Sequence, residues 1–163
     1  MRSEDSRAPY QQHSAKGFRF AIVASRWNEA LVTRLLDGAL QALTESAADA
    51  DGVQVYRVPG SFEIPLCALK AAESGWFDAI ICLGVIIRGD TPHFDYVAAE
   101  TARGINEAGL RTGVPVMFGV ITANEIEQAN SRATTGAENK GYEAAMAAIE
   151  VVNLYRQAFA KRT

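Results

Sequence analysis

Ala79-Ile80-Ile81-Cys82-Leu83-Gly84-Val85-Ile86-Ile87 runs directly into Arg88-Gly89-Asp90-Thr91-Pro92-His93-Phe94-Asp95-Tyr96. The first segment is apolar throughout and rich in β-branched residues, so it reads as a strand buried on both faces. The second holds the signals that start a helix. Thr91 followed by Pro92 predicts an N-cap with proline at the first helical position. Free backbone N–H groups and the positive dipole end at a helix start make an anion site. His93 adds a proton carrier that works near neutral pH. An anion cradle beside a histidine points to chemistry on a phosphorylated small molecule.

The same strand-then-helix grammar recurs on either side. Residues 18–25 form an apolar run followed by an amphipathic segment over residues 29–47, where Leu31, Leu35, Leu36, Ala39 and Leu43 share one face. Asn28 is the expected cap of that helix. Residues 53–58 predict the second strand, broken by Pro59-Gly60, with a helix over residues 62–74 that Gly75 stops. The helix opened by Pro92 is expected to reach Gly109, and residues 114–121 predict the fourth strand. Thr122-x-x-Glu125 has capping-box spacing and starts a short helix. After a Thr/Gly-rich break at Ala133-Thr134-Thr135-Gly136, a last helix is expected over residues 139–160. Alternating strands and helices, with the strands apolar throughout, predict an α/β protein with a parallel sheet covered on both faces.

The 163 residues suffice for one domain with a substantial core, and no repeat divides them. A net charge of −3 argues against nucleic acid or an anionic membrane as the main partner. No stretch has the length and apolarity of a membrane span or signal peptide, so the cytoplasm is the expected compartment. Residues 1–17 are polar and read as a disordered arm, leaving residues 18–163 as the folded domain. Cys67 and Cys82 sit in apolar surroundings without Cys-x-x-Cys spacing or nearby histidines, so they read as small core residues rather than metal ligands or redox groups.

Ligands of open α/β sheets bind outside the carboxyl ends of the strands. The residues that a core does not need fall there: Arg26-Trp27-Asn28, Pro59-Gly60-Ser61-Phe62-Glu63, the Arg88 to His93 loop, and Thr122 with Asn124. Taken singly, each has a plainer reading. Trp27 walls off a sheet edge, Glu63 complements a helix dipole, and His93 is a solvated first-turn residue. Arg132 and Lys140 say little on local grounds. Their convergence on one edge outweighs those separate readings.

These residues resemble the lumazine synthase family over residues 18–159. The resemblance rests on four ordered motifs: Trp27-Asn28-Glu29; Pro59-Gly60-Ser61-Phe62-Glu63-Ile64-Pro65; Gly84-x-x-Ile87-Arg88-Gly89-x-Thr91-Pro92-His93-Phe94-Asp95-Tyr96; and Asn139-Lys140-Gly141-x-Glu143-Ala144-Ala145. It implies a flavodoxin-like three-layer sandwich around a four-stranded parallel sheet. It also implies condensation of 5-amino-6-(D-ribitylamino)uracil with 3,4-dihydroxy-2-butanone 4-phosphate. The products are 6,7-dimethyl-8-ribityllumazine, phosphate and water, and no cofactor or metal is implied. The implied partners are the two small-molecule substrates, further copies of the chain in a homopentamer or sixty-subunit icosahedral shell, and riboflavin synthase.

The resemblance also implies roles. Trp27, where the family often has phenylalanine, stacks on the pyrimidine, and Asn28 and Glu63 meet the ribityl hydroxyls. Backbone groups of Ser61, Phe62, Val85, Ile86 and Ile87 hold the uracil edge. Asp90 and Thr91 cradle the phosphate that Arg132 neutralises, and His93 shuttles protons. Phe118 and Lys140 arrive from a neighbouring subunit. Two positions depart from the family: Asp90 puts a carboxylate near the phosphate, expected to pair with Arg88 or Arg132 or to point away, and Gly136 stands where relatives can carry lysine. A flavodoxin would need a Ser/Thr/Gly-rich loop after the first strand, and a receiver domain an acidic cluster there; neither is present in Arg26-Trp27-Asn28-Glu29. The remaining alternative is a flavin-binding or shell-forming relative of weak activity.

Overall fold

A computed structural model describes residues 9–160. Four strands, β1 (Phe20–Ser25), β2 (Val53–Val58), β3 (Ala79–Ile87) and β4 (Val116–Ala123), form one sheet in the order β2-β1-β3-β4. Every pairing is parallel, with Ile22 opposite both Val55 and Ile81. The central strands explain the apolar runs: all six residues of β1 and the first eight of β3 are buried.

Strand alternation sorts the core into two layers. Phe20, Ile22, Ile81 and Leu83 pack with Leu35 of α1 (Glu29–Glu45) and Ile149 of α5 (Lys140–Phe159). Ala21, Val23, Ile80 and Cys82 face Ile64 of α2 (Ile64–Glu73) and Ile105 of α3 (His93–Thr112). The chain is thus a three-layer sandwich. β2 lies on one side of β1 and β3 on the other, so the winding reverses between β1 and β3. That reversal opens the crevice where ligands of such folds bind.

Several boundaries moved for identifiable reasons. The expected helix at residues 62–74 opens as a 3-10 turn, Ser61–Glu63, before α2 begins. α3 begins at His93 with Pro92 in the cap position; Thr91 supplies only a long bond, its Oγ1 accepting from the His93 N–H at 3.4 Å. α3 also runs three residues past Gly109, to Thr112, where Gly113 takes the left-handed conformation at φ 71°. β4 starts later than predicted because Pro115 offers no N–H; its carbonyl accepts from Ile80 N, and paired register begins at Val116. Thr122 lies inside β4. The short helix α4 (Ile126–Arg132) is started instead by Gln128, whose Oε1 accepts from the N–H groups of Asn124 and Glu125.

Residues 1–8 of the expected arm lie outside the described residues. Residues 9–17 are held against the domain. Ala15 is fully buried and its N–H donates to Ser46 O at 2.7 Å, Asn153 Nδ2 donates to Ser14 O at 2.9 Å, and Tyr10 packs on the core. Packed chain therefore begins before Phe18. Among the described residues no helix is long and apolar enough to cross a membrane. Burial pushes the thiols of Cys67 and Cys82 up, so neither is a thiolate at neutral pH.

Candidate active site at the carboxyl edge of the sheet

The β1–β2 ladder continues past the strands, with Arg26 N donating to Val58 O and Trp27 N to Pro59 O. This fixes the loop that presents Trp27, whose side chain is 74% exposed. Asn28 adopts the left-handed conformation at φ 60° and does not cap α1 with its side chain. Its Nδ2 instead donates to Val85 O at 3.0 Å, joining the ends of β1 and β3 across the reversal point. One amide donor of Asn28 and the Val85 carbonyl thus meet each other, and the Asn28 Oδ1 is not used in that bond.

After β2, Glu63 Oε2 accepts from Gly60 N at 3.0 Å and closes the turn that exposes Phe62 and buries Ser61. Gly84 lets this turn approach β3. A Cβ there would sit 2.6 Å from Ser61 Oγ and 3.2 Å from Ser25 Oγ. Ser25 Oγ is a buried hydroxyl without a hydrogen-bond partner at the end of β1. The sequence reading assigned Ser25 no role, although a hydroxyl closing an otherwise apolar strand was visible.

The β3–α3 loop is braced by Arg88. Its Nε donates to Asn124 Oδ1 at 2.9 Å, its Nη1 pairs with Asp95 Oδ1 at 3.1 Å, and its guanidinium lies 4.3 Å from the Phe94 ring centre. Arg88 therefore pairs with Asp95 rather than Asp90, and Arg132 bonds to Gln128 O and Ser131 Oγ. Of the two outcomes expected for Asp90, pairing with one of these arginines or pointing away from the phosphate, the pairing is not formed with either. The acceptors differ because Asp95 lies in the first turn of α3, directly alongside Phe94, on which the guanidinium stacks. Asp90, Thr91 and His93 are exposed where the twenty-residue α3 directs its amino end outward.

The topology thus gathers Trp27, Asn28, Ser61, Phe62, Glu63, Val85, Ile86, Ile87, Asp90, Thr91 and His93 at one sheet edge. Arg132 follows β4 at the end of α4. Its Nη1 donates to Gln128 O at 2.8 Å, so the guanidinium lies along its own helix. Phe118 and Lys140 are elsewhere. Phe118 lies on the edge strand, opposite Cys82, five residues before the end of β4 and roughly 16 Å from the carboxyl edge at strand rise. With Lys140, Tyr10, Met117 and Glu143 it lines a separate cavity of about 330 Å³. Lys140 Nζ meets Glu143 Oε2 at 2.7 Å, with both side chains largely buried. Glu143 was missed as a site residue, although a carboxylate three residues after a lysine on an apolar helix carries that signal. Among the described residues, no three His, Cys, Asp or Glu side chains converge as metal ligands do.

An all-parallel sheet in this order, with its polar and aromatic loops gathered at the reversal point, defines an open α/β protein of the class whose ligands bind at that edge. The chain belongs to the 6,7-dimethyl-8-ribityllumazine synthase family, whose model matches residues 17–156. It is 59% identical over 143 residues to the 6,7-dimethyl-8-ribityllumazine synthase of Syntrophus aciditrophicus, a match covering 88% of this chain and 93% of that protein. The enzyme of the same name from Desulfatibacillum aliphaticivorans is 56% identical over 144 residues, with coverage of 88% and 93%. That from Chlorobium luteolum is 54% identical over 143 residues, covering 88% and 92%.

Proposed function

We propose that this chain condenses 5-amino-6-(D-ribitylamino)uracil with 3,4-dihydroxy-2-butanone 4-phosphate, releasing 6,7-dimethyl-8-ribityllumazine, phosphate and water in riboflavin biosynthesis. The observation that carries this reading is the carboxyl edge itself, where an exposed aromatic, a helix amino end and a histidine meet in a chain of this family.

The 5-amino group of the pyrimidine attacks the ketone of the phosphorylated substrate, one water leaves as the imine forms, phosphate is then eliminated, and the ribitylamino nitrogen closes the ring on the resulting carbonyl with loss of a second water. Positioning two substrates supplies much of such an acceleration. Trp27 stacks on the pyrimidine, Asn28 and Glu63 hold the ribityl chain, and backbone groups of Ser61, Phe62, Val85, Ile86 and Ile87 meet the uracil edge. The amino end of α3, with Asp90 and Thr91, receives the phosphate, and Arg132 leaves the Gln128 carbonyl to neutralise it. His93 moves protons at the amine, at the ketone oxygen and at the carbon between the ketone and the phosphate-bearing carbon, whose deprotonation expels the phosphate. The alternative of a flavin binder of weak activity lacks support, since His93, Glu63 and Arg132 are all present.

Phe118 and Lys140 complete the crevice from a second copy, which makes the working unit a pentamer or the sixty-subunit shell. Sedimentation is expected to give a pentamer or larger; a stable monomer at working concentration contradicts the shared pocket. The reaction takes place in the cytoplasm, and the product passes to riboflavin synthase.

Arg132→Ala is expected to raise the Michaelis constant for the butanone phosphate at least about tenfold, because a guanidinium–phosphate bond is charge-assisted and two-pronged. The constant for the pyrimidine stays within about twofold. Steady-state kinetics with each substrate varied in turn checks this, and equal effects on both would assign Arg132 a structural role.

Trp27 sets flavin affinity, since riboflavin shares the ribityl chain and the ring that Trp27 stacks on. Aromatic stacking adds roughly 0.5–1.5 kcal/mol beyond area burial, and indole offers more surface than phenyl. Riboflavin titration is expected to rank wild type above Trp27→Phe and Trp27→Ala, with fluorescence quenching strongest for wild type. Equal affinities would mean that Trp27 only walls off the sheet.

A further inference from the structure

Arg132 lies between two polar ties that converge on one residue of α1. Two positions before it, Asn130 Oδ1 accepts from Arg34 Nη2 at 2.6 Å. Two positions after it, Thr134 O accepts from Asn139 Nδ2 at 2.7 Å, and the same Nδ2 donates to the Arg34 carbonyl at 2.9 Å. Asn139 is 2% exposed, and its Oδ1 accepts from the N–H groups of Gly141 and Tyr142 at the start of α5. The seat is built for this amide: a Cβ on Gly38 would stand 2.2 Å from Asn139 Oδ1. The segment's apolar face is therefore anchored in the core, through the fully buried Ala129 and Ala133 on either side of Arg132, and its polar face is tied to α1 by the Arg34 guanidinium.

We propose that Arg34 is a positioning residue for the phosphate-bearing substrate. Its side chain holds Asn130, and through it the last turn of α4, so that the Arg132 guanidinium is within reach of the amino end of α3 once it leaves the Gln128 carbonyl. This rests on the reading of Arg132 as the phosphate ligand. α4 has only seven residues, and Ala129 and Ala133 hold only its apolar face in the core. The Arg34–Asn130 bond restrains the polar face of that turn, and it does so from the helix that begins beside Trp27 and Asn28. Pyrimidine stacking and phosphate binding are thereby referred to one rigid element.

The test compares Arg34→Ala, Asn130→Ala and Arg34→Lys in the intact assembly, with both Michaelis constants, kcat and competitive inhibition by inorganic phosphate as readouts. Arg34→Ala and Asn130→Ala are expected to raise the Michaelis constant for the butanone phosphate by about 3- to 10-fold, the range of one ordinary solvent-exposed hydrogen bond acting as a restraint. Inorganic phosphate should lose inhibition by the same factor, while kcat and the pyrimidine constant stay within about twofold. Arg34→Lys, which keeps a donor, restores most of the loss. In an Arg132→Ala background neither change adds a further effect. An Arg34→Ala effect without an Asn130→Ala effect would make Arg34 a direct charge on the phosphate and overturn the proposal. So would additivity with Arg132→Ala, or no effect from either variant. The Arg132→Ala single variant judges the ligand assignment separately.

Discussion

Replacing His93 with alanine is expected to lower turnover by about 10- to 1,000-fold while both Michaelis constants stay within about threefold. The first residue of α3 holds an exposed imidazole beside the helix amino end, the proposed seat of the phosphate. Imine formation and phosphate loss both move protons at atoms next to that group. Alanine removes the carrier but leaves the backbone N–H groups, so binding survives and proton transfer does not. The wide range reflects water, which substitutes for the histidine to an extent set by how open the crevice is. Steady-state turnover at saturating substrate is the measurement. Wild-type turnover would remove His93 from the chemistry, and a loss confined to the Michaelis constants would make it a binding group.

Gly141→Ala is expected to destabilise the fold by about 3 kcal/mol or more, the upper range for forcing an extra carbon into a packed contact. The added Cβ would stand 1.9 Å from Leu35 O and 2.6 Å from Leu35 C, backbone atoms that cannot rotate away. Relief requires α5 to separate from α1, which breaks the packing of Leu35 with Ile149 and the seat of Asn139. Gly89→Ala is the control, because nothing lies within 4 Å of its Cβ position. Thermal midpoints compare the two: Gly141→Ala falls by many degrees or yields no folded protein, and Gly89→Ala stays near wild type. A Gly141→Ala midpoint near wild type would contradict the close approach of α1 and α5.

The order of elements was legible because buried strands and amphipathic helices carry different periods, and Gly75 and Pro59-Gly60 punctuate them. The ends were less so. Thr122 has the spacing of a capping residue, yet β4 stays paired with the long β3 through Ile86 and Ile87, which holds Thr122 and Ala123 in the strand. Residues 9–17 look like a solvated arm by composition, but the burial of Ala15 and the carbonyl of Ser14 are decided by α5. Local sequence cannot show a contact made by a partner 139 positions distant.

For the candidate site, the loops after β1, β2 and β3 were readable because the fold class alone sends them to one edge. The side-chain bonds within that edge were not. Asn28 bonds Val85 O and Arg88 chooses Asp95 over Asp90, because such choices depend on distances of about an ångström that spacing does not encode. Phe118 and Lys140 carry no local signal, since their cavity lies at the β4 edge, away from the loops that mark the crevice.

The central claim is that the carboxyl edge performs a condensation rather than holding a flavin. Mixing the purified assembly with both substrates, while following lumazine absorbance and fluorescence alongside released phosphate, tests it directly. The account predicts product and phosphate appearing in equal amounts, saturable in each substrate and well above the rate in buffer alone. A rate equal to that of buffer, with riboflavin still bound, would contradict it.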